Sequence, residues 1–347
     1  MDQEKLARLK AQYSDKSVFE NQTEKFQKMA RQVAGDDPDA TRTKPYSGIS
    51  SFLDMRVQDG LENLDIAIIG VPMDLAVSNR AGARLGPRSV RHIERIGPVN
   101  HQTGVVPSAV CRIADIGDVP FRSRYSLDQS IEDIELFYRK IKQAGILPLS
   151  VGGDHSITHP ILKALGADAP VALVHIDAHC DTAGTYDGSK FHHGGPFRMA
   201  VLDGVLDPEK TIQIGIRGGS ETIWEFSYES GMTVIHMEEF MAMGVKAIIQ
   251  KTRDLIGDLP VYISVDVDGF DPAYAPGTGT PEIGGILPRE GLQFLRGLMG
   301  MNVIGADVVE VAPMYDPTTN TAQLGAQLLF EELCLLAEAH KNRHGDG

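Results

Sequence analysis

From residue 64 onward, short runs rich in valine and isoleucine recur between longer stretches of helical periodicity, and this alternation constrains the fold more than any other feature. The runs cover 64–71, 110–116, 146–151, 171–176, 211–216, 232–235, 261–267 and 303–309. Strands that are apolar on both faces are the mark of a parallel sheet covered by helices on each side, because each crossover between parallel strands lays a helix on one face. The intervening segments carry the matching stripe. Ile131, Ile134, Phe137, Tyr138 and Ile141 recur at three- and four-residue steps, and Gly145 provides the stop before the next run. Leu328, Leu329, Leu333 and Leu336 form a second stripe near the C-terminus. The expectation is an α/β protein in three layers, α/β/α, around an eight-stranded, mostly parallel sheet. Residues 46–347 are read as one catalytic domain, because no internal repeat or low-complexity stretch divides them. Residues 1–45 are polar, end in the turn-forming Gly35-Asp36-Asp37-Pro38-Asp39, and read as an N-terminal extension.

Composition narrows the function. Lys and Arg total 33 against 47 Asp and Glu, a net charge of 33 − 47 = −14, which opposes nucleic acid and anionic membrane surfaces and favours a small cationic substrate. Cys111, Cys180 and Cys334 are odd in number and far apart, which argues against a disulfide framework and fits a reducing compartment. With no signal-like apolar start and no apolar run of about 18 residues, a cytoplasmic location is expected.

The polar residues worth notice all follow the apolar runs. Gly152-Gly153-Asp154-His155-Ser156 follows 146–151, Asp177-Ala178-His179-Cys180-Asp181 follows 171–176, and Asp266-Val267-Asp268 closes 261–267. Ligands of open parallel sheets bind at the carboxyl ends of strands, so the three segments can meet in one crevice. Side chains two apart on an extended chain face the same way, which aligns Asp177, His179 and Asp181, and likewise Asp266 and Asp268. Cys180 has the opposite parity and reads as packing. Four carboxylates in one apolar-walled cleft repel unless cations neutralise them, and two divalent ions supply the matching charge. Imidazole and carboxylate donors suit Mn, Fe, Ni or Zn better than Ca. Taken singly, an Asp-x-Asp or a Gly-Gly-Asp-His is more often a turn or a solvated strand end; the weight lies in their joint occurrence.

These three segments, the last extended as Ser264-Val265-Asp266-Val267-Asp268-Gly269-Phe270-Asp271-Pro272, resemble the signatures of the ureohydrolases, the arginase and agmatinase family. Ala275-Pro276-Gly277-Thr278-Gly279-Thr280-Pro281-Glu282 is similar to its agmatinase and guanidinobutyrase branch. The resemblance implies an arginase/deacetylase-like fold, a binuclear centre of Mn2+ or, in some relatives, Ni2+, and hydrolysis of a guanidine to urea and an amine. It implies His155, Asp177, Asp181 and Asp266 on the first ion and Asp177, His179, Asp266 and Asp268 on the second, with Asp177 and Asp266 shared. Glu310, in Val308-Val309-Glu310-Val311, matches the carboxylate that pairs with the guanidinium. His193 matches the proton-shuttling histidine, although Gly195 stands where the family pattern usually carries Thr. Asp181 is also expected to orient the attacking water.

The substrate reading is broader. Agmatine or a guanidino acid such as 4-guanidinobutyrate is expected, with free guanidine or the biguanide metformin as alternatives. The rim loop 182–190 lacks the Asn- and Ser-bearing pattern that holds the arginine head group. Within the pocket, Tyr186 and His192 are rim candidates, Asp187 could hold a terminal amine, and Arg80 or Lys190 a carboxylate; a solvated loop explains each of these equally well. Two other readings compete: a metal-dependent deacetylase-like amidohydrolase, which would hold one zinc, and a non-catalytic subunit of a hetero-oligomer. The resemblance further implies a homo-oligomer, a trimer or hexamer.

Overall fold

The computed structural model describes residues 2–15, 47–94 and 96–345; the turn cluster at 35–39 lies outside these residues. Chain contacts separate two units, Met1–Lys44 and Pro45–Gly347. In the first, helix Gln3–Tyr13 is capped by the Asp2 side chain, which accepts from the Glu4 amide, and buries none of its residues.

The second unit is built on eight strands: β1 (Ile66–Val71), β2 (Ile113–Asp118), β3 (Leu147–Gly152), β4 (Val171–Ile176), β5 (Leu206–Ile216), β6 (Thr233–His236), β7 (Val261–Asp266) and β8 (Val303–Val309). They pair in the order β2-β1-β3-β8-β7-β4-β5-β6, parallel at each pairing. The expected eight-stranded, three-layer architecture is what the chain adopts. β2 starts three residues into its apolar run and ends in the polar Asp118. It lies at the sheet edge, where one flank needs no apolar neighbour.

The central strands alternate between two cores. Val174, Ile263 and Val308 join the core beneath helices Val245–Ile256, Pro288–Gly297 and Asn320–His344, whereas Leu173, Tyr262 and Val309 join the core beneath Leu127–Gln143, Thr158–Leu165 and Pro196–Leu202. Helix Leu127–Gln143 forms because Ser126 accepts from the Gln129 amide at its start and because Ile131, Ile134, Tyr138 and Ile141 line one face. Each such apolar side chain contributes about 1.5–3 kcal/mol relative to leaving it exposed. The Tyr138 hydroxyl on that face meets Ser150 Oγ of β3 at 2.6 Å, which removes the cost of burying it unpaired. No helix among the described residues is long and apolar enough to cross a membrane.

The strand order decides where chemistry can happen. β3, β8, β7 and β4 are neighbours in the sheet although they come from distant parts of the chain. Their carboxyl ends therefore bring residues 152–155, 310, 266–268 and 177–181 to one edge.

Candidate active site

His155 opens a short 3-10 turn (His155–Ile157) behind Asp154, whose carboxylate accepts from the amide and hydroxyl of Ser156. Its imidazole is completely buried. Ser264 Oγ donates to Asp307 Oδ1 at 2.6 Å, so the same hydroxyl receives the His155 Nε2 proton at 2.8 Å. Asp307 is held in turn by Thr158 and Tyr262. That chain leaves the His155 Nδ1 lone pair facing inward. There it meets Asp181 Oδ2 at 2.9 Å, Asp177 Oδ2 at 3.1 Å and Asp266 Oδ2 at 3.3 Å, without a hydrogen bond to any of them.

A second group lies on the other side of Asp177. His179 Nδ1 is 3.1 Å from Asp268 Oδ2 and 3.5 Å from Asp177 Oδ1. Asp177 thus turns one oxygen to each imidazole, the arrangement a shared ligand needs. Donor atoms of His155, His175, Asp177 and Asp181 lie within 4.8 Å of one another, as do those of Asp177, His179 and Asp268. Asp266 reaches the first group through Oδ2, while its Oδ1 accepts from the Asp268 amide at 2.8 Å.

The electrostatics of this cluster call for positive charge. Burial and the neighbouring carboxylates push Asp266 well above the usual carboxylate range and Asp268 up to about 6. Burial disfavours charge on His155, yet Asp177, Asp181 and Asp266 outweigh it and raise its pKa, so the inward face of this ring draws positive charge, a proton or a metal ion, to Nδ1. An inward-facing buried lone pair surrounded by acceptors is what a cation satisfies, so the residues present fit a pair of divalent ions.

Sequence reasoning passed over the supports of these ligands. His175 lies two residues before Asp177 on the same strand face, and its Nε2 meets Asp177 Oδ2 at 2.7 Å. Gln213 of β5 donates through Nε2 to His175 Nδ1 at 3.1 Å and to the Cys180 carbonyl at 2.5 Å. Both His175 nitrogens are therefore engaged, and the ring orients Asp177. Arg217 donates to the carbonyls of Gly215, Asp268, Gly269, Phe270 and Glu282, tying the β5 end to the β7 loop. Gly269 allows that loop to close: a Cβ there would stand 2.9 Å from the Asp177 amide nitrogen.

Glu310 follows β8 with φ at +64°, and Asp181 has φ at +51°. Such backbone angles in residues with a side chain cost of order 1–3 kcal/mol and gather where a site needs a particular direction. Glu310 Oε1 accepts from the His155 amide and pairs with His193 Nδ1, each at 2.9 Å. Its Oε2 is buried without a hydrogen-bond partner among the described residues, about where Gly279 leaves room: a Cβ at 279 would lie 3.8 Å from it. His193 is 8 % exposed, and its Nε2 meets Ser78. Burial works against an imidazolium here, but Glu310, with Asp181 and Asp154 beyond it, raises His193 to about 9.

The rim residues fare differently. Arg80 donates to the Thr278 and Gly279 carbonyls and lies over the Tyr315 ring, so it braces the loop beside Glu310. His192 contacts the Gly184 carbonyl through Nε2. A Cβ at Gly195 would come within 3.0 Å of that His192 nitrogen, a physical reason for glycine at this position. Tyr186 and Asp187 stand exposed on the turn closed by the Tyr186–Ser189 bridge, and Lys190 lies over Phe191. Among the described residues none of these three forms an ion pair with the cluster. Cys180, as its parity suggests, is buried in the packing.

A parallel α/β sheet that gathers imidazoles and carboxylates at its switch point, with an acid and a histidine beside them, defines a metal-dependent hydrolase. Residues 64–334 match the arginase family model, and the chain belongs to that family. Over 305 residues it is 47 % identical to a guanidinopropionase of Pseudomonas aeruginosa, covering 87 % of this chain and 96 % of that one. It is also 47 % identical to a mitochondrial agmatinase of Gallus gallus, covering 83 % and 86 % of the two chains. Among solved structures, the proclavaminate amidino hydrolase of Streptomyces clavuligerus superposes with a TM-score of 0.82 at 35 % identity, covering 86 % of this chain and all of that one. The protein is a hydrolase that cleaves guanidino compounds at a binuclear divalent-metal centre.

Proposed function

We propose that this hydrolase acts on a short guanidino acid, releasing urea and the corresponding amino acid. The metal ligands are His155, Asp177, His179, Asp181, Asp266 and Asp268, and the observation that carries this assignment is the unbonded His155 Nδ1 facing three carboxylate oxygens. When bound, two divalent ions, Mn2+ first and Ni2+ second, lower the pKa of water from about 15.7 towards 7.

The chain's own residues do the rest. Glu310 receives the guanidinium on Oε2, the oxygen without a hydrogen-bond partner among the described residues, while Oε1 stays fixed by the His155 amide and His193. A planar cation on a fixed carboxylate makes charge-assisted hydrogen bonds that set the angle of attack on its carbon. Asp181 accepts a hydrogen bond from the attacking water in addition to its ligand role. As the C–N bond to the alkyl nitrogen breaks, His193 delivers a proton to the departing amine, a task its raised pKa suits at neutral pH.

The preference for a guanidino acid is supported by the guanidinopropionase named above and by the cationic Arg80, which braces Gly279 beside Glu310. Agmatine is the second reading, favoured by exposed Asp187 on the rim. Urea release measured across 3-guanidinopropionate, 4-guanidinobutyrate, agmatine, arginine, guanidine and metformin, with manganese or nickel, tests the choice. The guanidino acids are expected to give the highest kcat/KM; a higher value for agmatine or metformin overturns it. Residues 46–347 act as one catalytic domain of a homo-oligomer, a trimer or hexamer. The three buried free thiols favour a reducing compartment, the cytoplasm.

A further inference from the structure

Ser78 lies in the loop after β1, more than a hundred residues from His193 in the chain, yet it makes two contacts with the same ring atom. Its main-chain N–H points at His193 Nε2 from 3.1 Å, and its Oγ lies 2.7 Å from that nitrogen. The loop is held in place from both sides. Asp154 Oδ2 accepts from the Ala76 amide at 3.0 Å, and the Ala76 carbonyl accepts from the His193 amide at 3.0 Å. His193 is buried while Ser78 is exposed, so the serine stands between the ring and water.

The two contacts ask different things of Nε2. A main-chain N–H needs a lone pair there, which is the neutral ring with its proton on Nδ1 towards Glu310. Glu310, Asp181 and Asp154 favour the charged ring, whose Nε2–H requires an acceptor. A hydroxyl serves both states, donating to the neutral ring and accepting from the charged one, because its hydrogen can rotate. Hydrolysis makes His193 alternate between these states once per turnover, and a buried ring that gives up a proton must regain it from solvent.

We propose that Ser78 is the positioning residue of His193 and the solvent end of its proton path. This rests on the reading of His193 as the proton donor. To reload the neutral ring, Ser78 Oγ–H passes its proton to Nε2 while the oxygen takes one from bulk water. Two bonds to hydrogen break, the serine O–H and that of the water or buffer acid, one N–H and one O–H bond form, and the water becomes hydroxide or the buffer acid its conjugate base.

The test compares the metal-loaded full-length wild type with S78A, S78T and H193A, measuring urea release, bound metal and the response of kcat to added small buffer acids such as imidazolium. S78A is expected to lose kcat on the order of tenfold, a part of the 10²–10⁴ that general acid–base catalysis supplies. Its KM and metal content stay unchanged, and rising buffer concentration restores its rate. S78T keeps a hydroxyl on the same backbone and is expected to turn over as the wild type does, with no response to buffer. Wild-type kcat in S78A, or a loss that buffer does not relieve, overturns the relay even if H193A is inactive. Full turnover in H193A overturns the relay and the role of His193 together.

Discussion

At the scale of single residues, the site is a set of pairs in which one partner holds the other at a fixed angle. His193 illustrates the consequence for pH. A histidine raised to about 9 keeps its proton through neutrality and loses it as pH passes that value, so the proton donor disappears on the alkaline side. A fall in kcat/KM with an apparent pKa near 9 is expected in the wild-type pH profile. Substituting His193→Ala should lower kcat by about 10²–10⁴-fold with little change in bound metal; parallel loss of metal would show that the ring serves the cluster instead. His175 and Gln213 touch no reacting atom but orient Asp177. Removing such an outer partner typically costs 10–100-fold in metal affinity, so Gln213→Leu should weaken manganese binding by about that factor in a metal titration. Unchanged affinity would mean that Asp177 needs no such support.

At the scale of elements, the strand ends meet only because the backbone around them is thin. Gly153 sits where a Cβ would lie 2.4 Å from the Met73 carbonyl and 2.5 Å from that of Val71, and Gly269 presses on Asp177. Backbone at these distances cannot be moved by rotating a side chain. Gly269→Ala should therefore displace the β7 loop and lower both metal content and thermal stability; wild-type values for both in the purified variant would contradict the tight closure. The elements themselves were largely legible in the sequence, because strands buried on both faces have to be apolar throughout, and residues 64–71 or 303–309 announce that directly. Five of the six proposed ligands were read from alternation past a strand end, although Asp181 reaches the cluster from a left-handed backbone (φ +51°) and Asp268 from a 3-10 turn; His155 was legible through its Gly-Gly-Asp-His segment and the family resemblance. The same parity places His175 beside Asp177 and Ser264 beside Asp266, but a polar residue inside an apolar run is easily read as an interruption. Ser78 and Arg217 carry no local signal. Their partners lie 115 and 51 or more residues away for the contacts that matter, and only the strand order brings them together. The rim residues Tyr186, Asp187 and Lys190 stand on an exposed turn where local pattern imposes no direction.

For the whole molecule, the cluster of buried acids is a cost that bound cations offset. Without them, carboxylates such as Asp266 must be protonated or repel one another. Ions that bind the folded chain and not the unfolded one stabilise it by about 2.7 kcal/mol at a hundredfold excess over Kd. Chelation should therefore lower the melting temperature, and manganese should restore it in a concentration-dependent way; a melting temperature indifferent to metal would mean that the cluster is satisfied without cations. The strain at Asp181 and Glu310 is part of the same cost, since both residues aim their carboxylates from backbone angles that few side chains adopt.

The most direct measurement is a titration of metal-free protein with manganese, following urea release and bound metal together. Activity is expected to rise to a plateau at two ions per chain, with anomalous scattering from two adjacent positions between His155 and His179. A plateau at a single ion, or full activity with none, would contradict the paired centre on which the chemistry is built.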